Sequence, residues 1–182
     1  MIFNRLDISG AFLIERQRHE DNRGYFARTF CEQEFIDHGI SFKPVQANIS
    51  YNEKPLTLRG MHFHTPPQEE EKLVSCNSGR VFDVIVDIRP SSQTYGTWFG
   101  TELSRKNGKS LFIPKGCAHG FLTLEEFSEV TYLMSPSYVS GYEAGIRWDD
   151  SDIKIEWPEK PMIISEKDEA LPLLRDLQTG VR

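Results

Sequence analysis

Apolar residues recur at every second position through much of this chain, and that period limits the folds open to it. In residues 81–89, VFDVIVDIR, the side chains of Phe82, Val84, Val86 and Ile88 fall on one face while Asp83, Asp87 and Arg89 fall on the other. The pattern predicts a strand with one buried side. AFLIER, KLVSC, TWFGTELS, SLFIP, HGFLTL and EVTYLM add similar runs, with Gly, Pro, Asn and Ser between them. Many short strands at that spacing predict an antiparallel sandwich or barrel, and so many of them suggest a jelly roll. Helical signal is confined to CEQEFIDHGI, closed by Gly39, and SEKDEALPLLRDL, interrupted by Pro172. The expected class is all-β with short peripheral helices.

A length of 182 residues fits one domain, 1–182, and no internal repeat, linker or low-complexity tract divides it. With 38% hydrophobic, 26% charged and 12% aromatic residues the chain has the means to bury a core. Its net charge of -6 gives no general attraction to nucleic acid or to an anionic membrane, so an anionic ligand needs arginines or lysines placed locally. No stretch approaches the roughly 18 apolar residues of a membrane helix, and the N-terminus lacks a continuous apolar core, so a cytoplasmic address is expected. Cys31, Cys76 and Cys117 are too scattered for a disulfide framework; the latter two sit in apolar runs and read as packing residues.

Chemistry concentrates in LRGMHFHTPPQEEEKLV, residues 58–74. His62 and His64, two apart, point to the same face of a strand, which is how a barrel aims two imidazoles at one ion. Glu69 or Glu71 would add a carboxylate, and GKSLFIPKGCAHGF contributes His119 in a PxGxxH pattern. HxHx4E followed by PxGxxH resembles the two motifs of metal-binding cupins, although Thr123 stands where the second usually carries asparagine. Such a set would suit Fe, Mn, Ni or Zn. The plainer reading makes His64 a surface residue and the glutamates a solvated loop.

The same segment also suits proton transfer. Taking a proton from carbon beside a ketone requires a base poised near neutral pH, a partner that orients it, a cation at the forming enolate oxygen and an acid to return the proton. His62 suits the base, Lys72 the cation, Asp168 the partner and Tyr132 the acid. Each has an ordinary alternative: Ser165 to Asp168 has the form of a capping box, and Tyr132 lies in an alternating strand where a core aromatic is the default.

DNRGYF, LRGMHF, EKLVSCNSGRVFDVIVDIRPSSQTYG, IPKGCAHGF, IRWDD with IEWP, and ISEKDEALPLL, spread over residues 12–174, resemble the dTDP-4-dehydrorhamnose 3,5-epimerase family. The resemblance implies a cupin-type double-stranded β-helix, a homodimer whose N-terminal strands reach across, and an isomerase of deoxysugar biosynthesis that needs no metal or other cofactor. It implies that His62 is the general base, Asp168 its paired carboxylate, Lys72 the cation at the C4 oxygen and Tyr132 the general acid. His119 becomes a second histidine near the sugar, Arg23 and Arg59 hold the diphosphate, and Gln46, Asn48 and Tyr138 contact the nucleotide-sugar. The implied substrate is a dTDP-linked 4-keto-6-deoxyhexose, inverted at C3 and C5.

Four positions depart from the pattern. His64 stands where the family commonly has glutamine, His19 where it often has phenylalanine, Arg28 where RGxFxE supplies glutamate, and Ala47 where QDN is common. Arg28 is counted with the substrate-binding residues because it lies in a segment that lines the nucleotide side of the family's pocket. The alternatives are an epimerase acting on one carbon or on another nucleotide-sugar, a metal-dependent cupin oxygenase or isomerase using His62, His64, Glu69 and His119, and a non-catalytic sugar-binding cupin.

Overall fold

The computed structural model describes residues 1–177; the end of the 1–182 span assigned above to one domain, residues 178–182, lies outside them. The elements are β1 (Ile2–Arg5), β2 (Phe12–Glu15), β3 (Arg18–Asp21), β4 (Gly24–Ala27), α1 (Glu32–Asp37), β5 (Gln46–Asn52), β6 (Leu58–His64), β7 (Glu71–Ser78), β8 (Arg80–Asp87), β9 (Trp98–Ser104), β10 (Lys109–Ile113), β11 (Cys117–Thr123), β12 (Ser128–Ser135), β13 (Glu143–Gly145), α2 (Glu166–Glu169) and α3 (Leu174–Leu177). Strands β1-β2-β10-β7-β12-β5 form one sheet and β13-β6-β11-β8-β9 a second, while β3 and β4 form a separate hairpin. Non-sequential neighbours in both sheets and antiparallel ladders throughout are the wiring of a jelly roll, as the strand spacing predicts. Among the described residues no helix is long and apolar enough to cross a membrane.

The central strands of both sheets are buried on both faces. Val74, Cys76, Val81, Ile85, Leu103, Leu111, Phe121 and Val130 meet between them. Outside the second sheet, Val84, Val86 and Ala118 pack under Ile146, Ile153, Leu174 and Trp157 from the C-terminal segments. Outside the first, Phe12, Ile14, Leu73 and Phe112 pack under Phe35 of α1 and Phe42 after it. The one-sided reading of residues 81–89 is therefore corrected: Val81, Asp83, Ile85 and Asp87 are as buried as Val84 and Val86. Alternation still sorts the side chains into two faces, but the acidic face looks into the barrel rather than into water.

A buried carboxylate persists only when its lone pairs are filled. Asp87 accepts two bonds from the Arg89 guanidinium at 2.8 and 2.7 Å, one each from the Ser92 and Thr94 hydroxyls at 2.6 Å, and one from the Arg89 N–H at 3.0 Å. Burial pushes its pKa up, but the bonds from Arg89, Ser92 and Thr94 outweigh burial and hold it at about 2. The short connection RPSSQTYG is thereby wound around one anion and delivers the chain to β9. Cys76 and Cys117 are free and buried, and burial pushes both thiols up to about 12, in keeping with packing roles.

The Asp87 pKa is depressed on folding, so its contribution is present above the ordinary value of 3.8 and is lost as pH falls through about 2. The shift corresponds to about 2 kcal/mol. Urea unfolding of Asp87→Asn should show a loss of that order at neutral pH, and the gap from the parent should narrow as pH drops from 3.8 towards 2.

Candidate active site

One end of the barrel interior changes from apolar to polar. Strand β6 carries His62 into it beside β11, where His62 faces His119 across the ladder. The two strands pinch together at glycines: a Cβ on Gly60 would lie 2.6 Å from Gly120 Cα and 2.7 Å from the His119 carbonyl oxygen, and Gly60 has φ 118°, a value that favours glycine. That backbone path leaves the Gly60 N–H pointing at Asp168, whose Oδ2 accepts it at 3.0 Å while Oδ1 accepts from His62 Nε2 at 2.7 Å.

Asp168 comes from α2. Ser165 Oγ accepts the Asp168 N–H at 3.1 Å, so the predicted cap is made in one direction. The carboxylate does not return to the cap, as a reciprocal capping box would have it; it crosses to His62 and Gly60. Burial works against the charge, but the bonds from His62 and Gly60 more than offset it and hold the Asp168 pKa below its usual range. The His62 side chain keeps 42% of its surface exposed and faces the cavity.

A second pair lies deeper. His119 Nε2 is 2.9 Å from Asp83 Oδ1, and both side chains are buried. Asp83 Oδ2 has no protein partner. Tyr132 meets the His119 ring edge-on, with centroids 5.9 Å apart. Burial and the Asp83 charge push the Tyr132 phenol well above its usual range, which keeps it protonated across the working range of a cell. Lys72 is an ion pair rather than a lone cation, with Nζ 2.6 Å from Glu70 Oε1. Arg59 donates from Nε to Asn52 Oδ1 at 2.7 Å.

These groups surround a cavity of about 400 Å³, which Asn48, Ser50, Met134 and Lys167 also line. Of the residues singled out in the sequence, His62, Lys72, Tyr132, Asp168, Arg59, His119 and Asn48 meet here. Gln46 and Tyr138 line an adjoining pocket of about 240 Å³ together with His64, Glu70 and Glu143. Arg23 and Arg28 do not meet the others within this chain. Arg23 sits at the β3–β4 turn, 85% exposed and clasped to Asp21, and Arg28 pairs with Glu34 beside Met1 and His19 in a separate cleft.

The solvated-loop reading of the glutamates is corrected for Glu70, which has only 8% of its side chain exposed, and for Glu71, whose carboxyl is pushed up by burial. The ring nitrogens that approach carboxylates belong to separate pairs, His62 with Asp168 and His119 with Asp83, while His64 faces Glu70. Among the described residues no three His, Cys, Asp or Glu side chains stand close enough together to hold a metal ion. Glu70, Asp83, Ser50 and Lys167 are site residues that the sequence reading missed. Asp83 left a signal, since an acid sharing a face with Val81 and Ile85 requires a buried partner.

Set beside known proteins, a jelly roll with this cavity falls among sugar isomerases of the cupin fold. A sequence model of the dTDP-4-dehydrorhamnose 3,5-epimerases matches residues 5–176, and the chain belongs to that family. It is 42% identical to the enzyme of that name from Methanothermobacter thermautotrophicus, over 96% of this chain and 95% of the relative. It is 41% identical to the one from Escherichia coli, over 95% and 94%. The crystal structure of the dTDP-6-deoxy-D-glucose 3,5-epimerase from Legionella pneumophila, in complex with dTDP-4-keto-L-rhamnose, superposes with a TM-score of 0.90 at 36% identity, covering 96% of this chain and 93% of that one.

Replacing Asp168 by Ala strands the Gly60 N–H and the His62 ring, and an orphaned buried donor costs about 1–3 kcal/mol. Urea unfolding of Asp168→Ala at neutral pH should show a loss in that range. Retention of full stability would mean that the carboxylate is not what ties α2 to the barrel.

Proposed function

We propose that the protein inverts C3 and C5 of a dTDP-linked 4-keto-6-deoxyhexose, converting dTDP-4-dehydro-6-deoxyglucose to dTDP-4-dehydrorhamnose. The observation that carries the reading is the placement of base and acid on opposite walls: His62 on β6 belongs to one sheet and Tyr132 on β12 to the other. A sugar ring between them loses a proton to one face and regains one from the other, and inversion is the result.

The keto group at C4 acidifies the protons at C3 and C5. His62 removes one of them, and the imidazolium so formed rests against Asp168, which is already ionised. Lys72, which lines the cavity, is the cation for the enolate oxygen in this scheme, and His119, paired with Asp83, lines the cavity too. Tyr132, kept neutral by burial, holds its proton until the enolate carbon takes it. One base serves both carbons if the ring repositions between the two steps and solvent takes the proton from His62 and restores the one Tyr132 gave. Arg59 supplies charge for the diphosphate; Lys167, which takes part in no ion pair among the described residues, is a second candidate for that task. Gln46, Asn48 and Tyr138 offer contacts along the adjoining pocket. No step in this scheme calls on a metal.

A second copy of the chain completes the reading. Strand β5 is the outer strand of its sheet, and Val45, Ile49 and Tyr51 on or beside it are exposed, as is Phe26 on the β3–β4 hairpin. Large apolar side chains on an unpaired edge support a homodimer. In such a dimer the hairpin would carry Arg23 towards the partner's cavity, with Arg28 near the nucleotide. Sedimentation equilibrium should return twice the chain mass, and Ile49→Lys with Tyr51→Lys should return the monomer.

NMR of dTDP-4-keto-6-deoxyglucose with the protein in D₂O tests the chemistry. Deuterium should enter at C3 and C5 with EDTA present or absent. His62→Ala should slow exchange by about 10² to 10⁴, and Tyr132→Phe should retain exchange more than net inversion. Deuterium at one carbon only would reduce the activity to a mono-epimerisation, and exchange abolished by EDTA would instead support metal-dependent chemistry.

A further inference from the structure

The scheme above leaves Glu70 and His64 without a task, yet both are built into the site. Their side chains are 8% and 9% exposed. The Glu70 carboxylate bridges two groups: Oε1 accepts from Lys72 Nζ at 2.6 Å, and Oε2 lies 3.7 Å from His64 Nδ1. His64 is held from behind by the Tyr138 ring, with centroids 5.6 Å apart, and stands opposite Glu143 in the β6–β13 ladder. The hydroxyl of Tyr138 is bonded to Glu143 in turn. Carboxylate, imidazole and phenol thus form a row that ends on the lysine at the reaction centre.

A lysine stem is flexible and its ammonium makes bonds in any of three directions, so the backbone alone does not aim it. Register fixes only where the Lys72 Cα sits, opposite Ile113 on β10 and Met134 on β12. The cavity presents Arg59 and His62 from β6, His119 from β11, Tyr132 from β12, and Lys167 and Asp168 from α2 and its first turn. The Asp168 carboxylate is taken by His62 and Gly60. Among the described residues Glu70 is the one carboxylate in an ion pair with Lys72.

We propose that Glu70 is the positioning residue of Lys72, with His64 as the wall that keeps the carboxylate in line. The proposal rests on the reading that Lys72 stabilises the enolate oxygen. Glu70 takes one N–H of the ammonium and thereby turns the others towards the cavity, and it supplies the counter-charge that a buried cation needs. A carboxylate that only braced the loop to β7 would affect stability alone. A positioning carboxylate acts on the chemical step as well.

Glu70→Gln separates the two, because it keeps the shape and one acceptor while removing the charge. In the D₂O exchange assay the variant should lose about tenfold in kcat, short of the 10²–10³ that follows outright loss of a transition-state donor, with KM within about twofold of the parent. His64→Gln should lower kcat in the same sense by less, and Glu70→Gln should also lower the thermal midpoint, since the buried ammonium loses its counter-charge. A Glu70→Gln protein with parental kcat overturns the proposal, as does one whose only change is a lower thermal midpoint. Failure of the parent itself to exchange either hydrogen defeats the epimerase reading, and the proposal with it.

Discussion

The Asp168 carboxylate is the point on which the rest of the site depends. It joins a short helix late in the chain to a strand 106 residues earlier, through His62, and fixes the backbone of that strand through the Gly60 N–H. Taking a carboxylate out of water is costly unless each oxygen finds a donor. Both donors exist here only because β6 and β11 approach so closely at Gly60 and Gly120, where neither position has room for a Cβ. Orientation of one imidazole and docking of the C-terminal segment both follow from the two hydrogen bonds that this close packing permits.

Around that anchor the barrel divides its interior by chemistry. On β7 the inward positions run Lys72, Val74, Cys76, and on β8 they run Val81, Asp83, Ile85, Asp87. Apolar members of these series form the core between the sheets, and polar members appear where the cavity opens or where a loop is tied down. Asp83 and Asp87 show the difference. Every acceptor of Asp87 faces a local donor from the following turn, so its task is to shape that turn. Asp83 spends one oxygen on His119 and leaves the other without a protein partner, an arrangement that orients a ring and carries charge towards Tyr132.

Period two in the sequence was enough to find seven strands and the jelly-roll class, because alternation is a property of each strand alone. It missed β5, where Asn48 and Ser50 line the cavity and Asn52 accepts from Arg59, so that polar residues break the apolar rhythm. It also misjudged which faces were wet, since the second layer over each sheet comes from distant segments such as Phe35, Ile153 and Leu174 that no local pattern announces. The site was legible through motifs: RGMH, EKLV, AHGF and SEKD mark positions that meet in space. Glu70 was hidden among three adjacent glutamates, where composition suggests a solvated loop and only the turn between β6 and β7 decides which carboxylate turns inward. Arg23 and Arg28 carried signals of equal strength, yet within one chain they lie apart from the cavity.

Those two arginines differ in what holds them. The Arg23–Asp21 pair sits on an open hairpin, where water screens both charges and competes for each bond, so breaking it costs little. Arg28 shares Glu34 with the N-terminal ammonium, and the loss of Arg28 to a ligand would leave that carboxylate still paired. Neither arginine is bound into a network that its departure would collapse. Lys72, by contrast, is buried against Glu70 and has nowhere else to go. These three cations thus differ in kind: Arg23 and Arg28 are held by exposed pairs that solvent screens, while Lys72 is held inside the barrel by a buried one.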